Sequence, residues 1–354
     1  MRLLIVGTGA RANAHAREFA KIDGVEIVGA VDVNPARVTG FASKYNIGQT
    51  FTSLQEAITW GEFDAAANVT SDKAHHPTTL ALIAAGKHVL CEKPIAENYQ
   101  RAAEMASAVE RAGLVGMVSF DYRDLPALQR ARELVVSGEI GRIRHFDASY
   151  LQSWLVSNAY GHWASEPMWL WRLSTKHGSS GVLGDVGIHI LDSAAYVTGS
   201  AVERLSARLI CFEKAPGNSI GEYDLDANDS FTMTAELENG AMGVIQASRW
   251  ATGYLDELKV RLFGDKGALE VVSTPEGGTS LKACLGQDID NAVWREIDVE
   301  EVPTIWQRFV EAVESGQVAE PSFRYAANLQ KVVDLAVKSE HERAELTVSD
   351  TGVL

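Results

Sequence analysis

Three polar side chains stand where their type and spacing could move a proton. Lys93 closes the segment Gly86-Lys87-His88-Val89-Leu90-Cys91-Glu92-Lys93-Pro94, just past a short apolar run, and Pro94 restrains the backbone after it. Asp185 and His189 lie in Gly181-Val182-Leu183-Gly184-Asp185-Val186-Gly187-Ile188-His189-Ile190-Leu191-Asp192. Four residues apart, they share one face of the predicted helix. An aspartate at a helix start also serves as a cap and suits the helix dipole. The pairing with histidine in a glycine-flanked helix start nevertheless points to acid–base chemistry. Asp192 continues the stripe, where it would either orient the imidazole or simply lie exposed.

A second group could hold an anion. Gly7-Thr8-Gly9-Ala10-Arg11-Ala12 is a G-x-G-x-x-A turn between an apolar run and a predicted helix. Gly7 permits the tight turn, Gly9 lets backbone approach a pyrophosphate, and Ala12 allows close helix packing. Asp32 ends the next apolar run, where a carboxylate accepts hydrogen bonds from a ribose. It would repel a 2′-phosphate, which favours NAD; Arg37 nearby would offset that charge and leaves NADP open.

A third group is aromatic. Trp154, Trp163, Trp169 and Trp171 fall in one segment with Tyr160, His162 and Arg172. Such rings build cores, and they also stack on the C–H faces of sugars, so both readings stand. Arg172 and Lys176 would instead suit an anionic ligand.

The elements that must position these groups follow two rhythms. Up to about Phe120, short β-branched runs alternate with helical stretches: Leu3 to Val6, Val25 to Val31, Phe63 to Val69, His88 to Cys91 and Leu114 to Phe120 as strands. Helices are predicted at Ala12 to Lys21, Pro35 to Tyr45 with Asn34 as cap, His76 to Ala85, and Asn98 to Ala112. This alternation implies an α/β fold with a doubly wound parallel sheet over residues 1–122. Residues 123–354 read as an α+β domain with a large open, mostly antiparallel sheet. A helix at Leu125 to Ser137 opens it, strands including Ser230 to Leu237 and Ala241 to Ser248 meet at Asn239-Gly240, and helices at Pro303 to Glu314 and Arg324 to Glu340 close it.

Composition bounds the partners. The 354 residues carry a formal net charge of −15, which argues against nucleic acid and anionic membrane surfaces. Cys91, Cys211 and Cys284 are odd in number and widely spaced, so neither a disulfide framework nor a metal site is implied, and a cytoplasmic protein is expected.

These motifs together resemble the Gfo/Idh/MocA oxidoreductases, the family of glucose–fructose oxidoreductase and inositol dehydrogenase. The resemblance rests on Gly7-Thr8-Gly9, His75 ahead of Gly86-Lys87-His88-Val89, Glu92-Lys93-Pro94, and Asp185-Val186-Gly187-Ile188-His189 with Asp192. It implies a Rossmann domain and a sheet domain that forms the interface of a homodimer or homotetramer. It also implies a catalytic group of Lys93, Asp185 and His189 acting on a sugar, glycoside or cyclitol alcohol with NAD, or NADP. Cofactor contacts are expected from Gly7 to Ala12, Asp32, Arg37, Thr70, Ser71, His75, Glu92 and Lys93. Substrate contacts are expected from Lys93, Arg123, Tyr160, His162, Trp163, Trp171, Arg172, Asp185 and His189. The family's Thr/Ser-Pro-Asn segment reads Thr70-Ser71-Asp72 here, a departure in the loop near the cofactor. Two rival readings are a redox-neutral enzyme working through a transient 3-keto sugar, and a non-catalytic NAD- or sugar-binding regulator.

Overall fold

The computed structural model describes residues 1–349 and divides into two compact units, 1–121 with 303–330, and 122–302 with the later residues. The first begins with β1 (Arg2–Val6), α1 (Ala12–Phe19), β2 (Glu26–Val31), α2 (Pro35–Tyr45), β3 (Gln49–Phe51) and α3 (Leu54–Trp60). It continues with β4 (Ala65–Asn68), α4 (Asp72–Ala84), β5 (His88–Cys91), α5 (Tyr99–Ala112) and β6 (Gly116–Val118). All six strands are parallel in the order β3-β2-β1-β4-β5-β6, the doubly wound arrangement that alternation of strand and helix demands. The order reverses between β1 and β4, so the carboxyl ends of those strands flank the crevice where such sheets take ligands. Strands β1 and β4 are buried almost throughout, as a sheet covered on both faces requires. Asn34 caps α2 by accepting from the Arg37 N–H at 3.1 Å, with Pro35 at the first helical position. The short pair β3 and α3 has no apolar periodicity long enough to signal it, and sequence reasoning passed over it.

The second unit holds α6 (Pro126–Val136), β7 (Ile143–Gln152), a short α7 (Pro167–Leu170), α8 (Ile188–Thr198), β8 (Val202–Ile210), β9 (Ser219–Ile220), β10 (Tyr223–Asp224) and β11 (Ser230–Leu237). Then come β12 (Met242–Ser248), β13 (Asp256–Gly264), β14 (Gly267–Thr274), β15 (Gly278–Leu285) and β16 (Arg295–Glu296). Last in the chain are α9 (Ile305–Ser315), α10 (Phe323–Glu342) and β17 (Leu346–Thr347). Nine strands form one sheet, β16-β15-β14-β13-β7-β12-β11-β8-β17, in which β7 and β12 pair in parallel and the remaining neighbours antiparallel. Period-2 burial is strict: Phe231, Met233, Ala235 and Leu237 of β11 face inward, while Thr232 and Thr234 are exposed. Helices α6 and α8 pack on each other and on this sheet.

Residues 303–330 group with the first unit, whereas a single boundary near residue 122 would assign them to the second. The cause is the apolar face of α9. Ile305, Trp306, Phe309 and Val310 enter the core built by β1 and α1, with the Phe309 ring 6.3 Å from that of Phe19. A capping box starts the helix: Thr304 Oγ1 accepts from the Gln307 N–H, and Gln307 Oε1 accepts from the Thr304 N–H.

Candidate active site

The glycine turn is shaped by close approach. Gly7 has φ +88°, and a Cβ there would sit 2.5 Å from the Val69 carbonyl oxygen, so only glycine lets β1 turn against β4. At Gly9 a Cβ would meet nothing within 4 Å, which leaves its backbone face open. Ala12 is fully buried, and no side chain caps the first turn of α1. Uncapped N–H groups beside an open glycine backbone suit a pyrophosphate. These residues therefore fit a dinucleotide.

Asp32 does more than the sequence suggested. Its Oδ2 accepts from both the Thr8 N–H and Thr8 Oγ1 at 2.9 Å, and its Oδ1 from the Asn34 N–H at 2.9 Å. The carboxylate thus ties the glycine turn to the end of β2, while Asn34 caps the following helix. Burial works against its charge, but the hydrogen bonds from Asn34 and Thr8, with Arg37, hold the carboxyl below its ordinary range. Arg37 lies 3.4 Å from Asp32 with a largely exposed guanidinium.

Glu92 is the node of this unit. It is buried; Oε1 accepts from His15 Nε2 at 2.8 Å and Arg11 Nε at 2.9 Å, and Oε2 from the Lys93 N–H at 3.2 Å. Trp306 Nε1, which can only donate, reaches His15 Nδ1 at 3.0 Å. Nδ1 must therefore accept, and the ring proton sits on Nε2, facing Glu92. Burial alone would raise the Glu92 carboxyl, but His15 and Arg11 hold it far below the usual carboxylate range. Arg11 also donates to Asp121 Oδ2 at 2.6 Å, so its side chain serves this network and its backbone the turn. Lys93 follows Glu92 at the end of β5, half-buried. His15 and Trp306 carry no sequence signal, being an ordinary core histidine and a distant tryptophan.

The loop after β4 is organised by Asn68, another residue the sequence did not flag. Its Oδ1 accepts from Thr70 Oγ1 at 2.8 Å, and its Nδ2 donates to Thr78 Oγ1 and Thr79 Oγ1 at 2.7 and 2.9 Å. Ser71 is exposed at the start of α4. His75 is enclosed between two carbonyl oxygens, with Nδ1 2.7 Å from Pro94 O and Nε2 3.1 Å from Thr70 O. Two acceptors call for two donors, which is the imidazolium. Burial opposes that charge, yet Cys91, Asp72 and the Pro94 carbonyl outweigh it and push the ring up to about 9. His75 thereby clamps the Thr70 loop to the Lys93-Pro94 segment.

In the second unit, Asp185 lies in a π turn, Leu183–Gly187, that runs directly into α8. The predicted continuous α-helix is therefore widened there, and the four-residue spacing to His189 is not that of an α-helical face. Glycines permit it: a Cβ on Gly187 would fall 2.7 Å from the Phe231 ring, and one on Gly184 2.3 Å from Ser180 Cβ. Asp185 is not the cap. Asn228 fills that role, its carbonyl accepting from the Val182 N–H at 2.8 Å and its Oδ1 from the Leu183 N–H at 3.1 Å. Asp185 Oδ2 accepts instead from Nη2 of Arg249 at 2.9 Å. His189 is buried, with the Tyr122 ring edge-on at 4.8 Å. The Tyr122 hydroxyl hydrogen-bonds that of Tyr150. Burial, then Tyr122 and Asp256, lift the Tyr150 phenol well above its ordinary value. Burial also raises the Asp256 carboxyl, with Asp185 adding to it and hydrogen bonds from Gln152 and Tyr150 opposing.

Arg123 and Asp192 differ from expectation. The guanidinium is enclosed and forks onto both Asp192 oxygens at 2.6–3.1 Å, over the Tyr196 ring. Two opposite charges in a closed interior pair with each other, so Asp192 is engaged by Arg123 rather than by the imidazole. The aromatic segment divides. Trp154 belongs to a small core with Leu155, Leu170 and Leu173, against which Trp163 and Trp169 pack. Trp171 and Tyr160 stay exposed at 36% and 41%, His162 is exposed, and Arg172 stacks on the Trp171 ring at 4.6 Å. Among the described residues, no group of three or more His, Cys, Asp or Glu is arranged to hold a metal ion, and no helix is long and apolar enough to cross a membrane.

Comparison with known proteins agrees with this architecture. Residues 1–120 match the oxidoreductase family with the NAD-binding Rossmann fold, and residues 128–270 match the GFO/IDH/MocA C-terminal domain. Levoglucosan dehydrogenase of Pseudarthrobacter phenanthrenivorans is 27% identical over 251 residues, 67% of this chain and 63% of that protein. The 1,5-anhydro-D-fructose reductase of Ensifer adhaerens is 32% identical over 193 residues, 52% of this chain and 54% of that one. The matches thus span about half to two-thirds of these relatives. A levoglucosan dehydrogenase solved with NADH and levoglucosan superposes with a TM-score of 0.86 at 23% identity, covering 98% of this chain and 99% of that one, and so shares the fold. With both of its domains matched, the chain belongs to the GFO/IDH/MocA oxidoreductase family.

Proposed function

We propose that this protein is an NAD(P)-dependent dehydrogenase that oxidises, or in reverse forms, a secondary alcohol of a neutral sugar, glycoside or cyclitol. The observation that carries the reading is the pairing of an open glycine turn with the Glu92–Lys93 node in one unit, together with a partly exposed carboxylate, Asp185, in the turn that runs into the helix of His189 in the other. The named activities of the relatives, on levoglucosan and 1,5-anhydro-D-fructose, support an uncharged sugar ring. When bound, the dinucleotide supplies the hydride acceptor. The Gly9-to-Ala12 backbone would hold its pyrophosphate and Asp32 its ribose, leaving NAD the favoured form. Lys93 or His189 takes the alcohol proton, and Asp185 accepts a hydrogen bond from the substrate hydroxyl. Trp171 and Tyr160 offer ring faces to the sugar. The half-exposed face of the nine-stranded sheet suits a homodimer or homotetramer contact, and the cytoplasm suits the free thiols.

The test is NAD(P)H absorbance across a panel of neutral sugars, glycosides and cyclitols. Lys93→Ala should abolish turnover while cofactor binding, read by fluorescence, persists. Full activity in that variant rejects the role of Lys93, and stoichiometric NAD binding with no turnover on any polyol rejects the dehydrogenase.

A further inference from the structure

We infer that Arg249 is a positioning residue for Asp185, held beside the enclosed Asp229–Lys214 pair. This rests on the proposed role of Asp185. Arg249 follows β12 and is, among the described residues, the largest fully buried side chain. Its N–H donates to the Asp229 carbonyl at 2.9 Å, so the two residues stand opposite each other at the ends of β12 and β11. Its guanidinium then reaches outward: Nη2 to Asp185 Oδ2 at 2.9 Å, Nη1 to the Arg172 carbonyl at 2.9 Å, with the Trp154 ring 5.2 Å away. On the inner side, Asp229 Oδ2 accepts from Lys214 Nζ at 2.5 Å and from the Phe212 N–H at 2.9 Å.

The signs alternate along Lys214, Asp229, Arg249 and Asp185, while the Arg172 guanidinium adds a like charge that weighs against that of Arg249. Burial and Arg172 both oppose the charge of Arg249, and Asp185 and Asp229 favour it, which matters because a lone buried cation is strongly disfavoured. Exposure then separates the four. The side chains of Lys214, Asp229 and Arg249 are wholly enclosed, whereas that of Asp185 is 30% accessible. The Arg123–Asp192 pair, by contrast, encloses both partners. Here an enclosed guanidinium holds a carboxylate that is partly accessible.

The planar fork of Arg249 also does what a lysine cannot. One arm fixes the carboxylate in the π turn and the other fixes the backbone beside Trp171. The distance between the carboxylate proposed to accept from the substrate hydroxyl and the exposed aromatic wall is thereby set by a single rigid group. Displacement of a reacting group by about 1 Å costs on the order of a hundredfold in rate.

The experiment compares Asp185→Asn, Arg249→Lys and Arg249→Ala with the wild type, using the sugar that the panel identifies and the full chain. Arg249→Lys should keep the Kd for NAD and the far-ultraviolet circular dichroism of the wild type while kcat falls about a hundredfold. Arg249→Ala should fall further and recover in part with millimolar guanidinium but not with ammonium. Where Arg249→Ala does not fold, the kcat of Arg249→Lys at unchanged NAD affinity decides. A folded Arg249→Lys with wild-type kcat and KM, while Asp185→Asn is inactive, overturns the inference and leaves the proposed function standing. An active Asp185→Asn overturns the role of Asp185 itself and, with it, this inference.

Discussion

Replacing His75 by glutamine should produce a stability loss whose size depends on pH in one direction only. The folded imidazolium donates Nδ1–H to Pro94 O and Nε2–H to Thr70 O; burial opposes its charge, but Cys91, then Asp72 and the Pro94 carbonyl, push its pKa up to about 9 against 6.5 for an unperturbed histidine. A gap of about 2.5 units corresponds to about 3 kcal/mol of folding free energy. Because the folded value is the higher one, this contribution is complete below about pH 6.5 and disappears as pH rises through about 9. Urea unfolding of wild type and His75→Gln from mildly acid to alkaline pH measures it. The difference between the two proteins should shrink by about 3 kcal/mol across that window. Imidazole proton resonances give an independent reading, with the His75 ring still charged at neutral pH. A difference that is constant or widens with pH, or a ring that titrates at or below the ordinary histidine value, refutes the reasoning. The consequence for activity follows from what the ring joins. Above about pH 9 the clamp between the Thr70 loop and the Lys93-Pro94 segment loses one of its two donors.

Other perturbations test the remaining parts of the scaffold. Gly7→Ala sets a Cβ 2.5 Å from the Val69 carbonyl at φ +88°, so calorimetry should show NAD binding lost or the first unit's melting point sharply lowered. Arg123→Met leaves Asp192 enclosed without its cation and should cost about 3–5 kcal/mol in urea unfolding, most of it recovered in Arg123→Met with Asp192→Leu. Trp306→Phe keeps the ring but removes the donor to His15 Nδ1; a loss of about 1 kcal/mol is expected, together with mixed His15 tautomers by nitrogen NMR.

The parallel sheet was legible because its signals are local. Apolar runs bounded by glycine, Asn34 before Pro35, and Gly7 before a helix each act within a few residues. Two things were not legible. The widened turn at Leu183–Gly187 depends on Phe231 pressing against Gly187, a contact between distant parts of the chain. The return of α9 to the first unit depends on which core can take Trp306 and Phe309, and periodicity reports that a face is apolar without reporting what it meets.

The candidate site divides along the same line. Residue type and spacing singled out the glycine turn, Asp32, Lys93 and Asp185 with His189, and the family resemblance added Glu92, because backbone permissiveness and side-chain chemistry are written in the residue itself. The partners of those residues were decided only in three dimensions. His15 and Trp306 orient Glu92, Asn68 orders the Thr70 loop, Asn228 caps the turn that carries Asp185, and Arg249 holds its carboxylate. Each is an ordinary residue, all but Asn68 far away in sequence, and each matters because a buried charge or donor must find its complement wherever the fold brings one within about 3 Å.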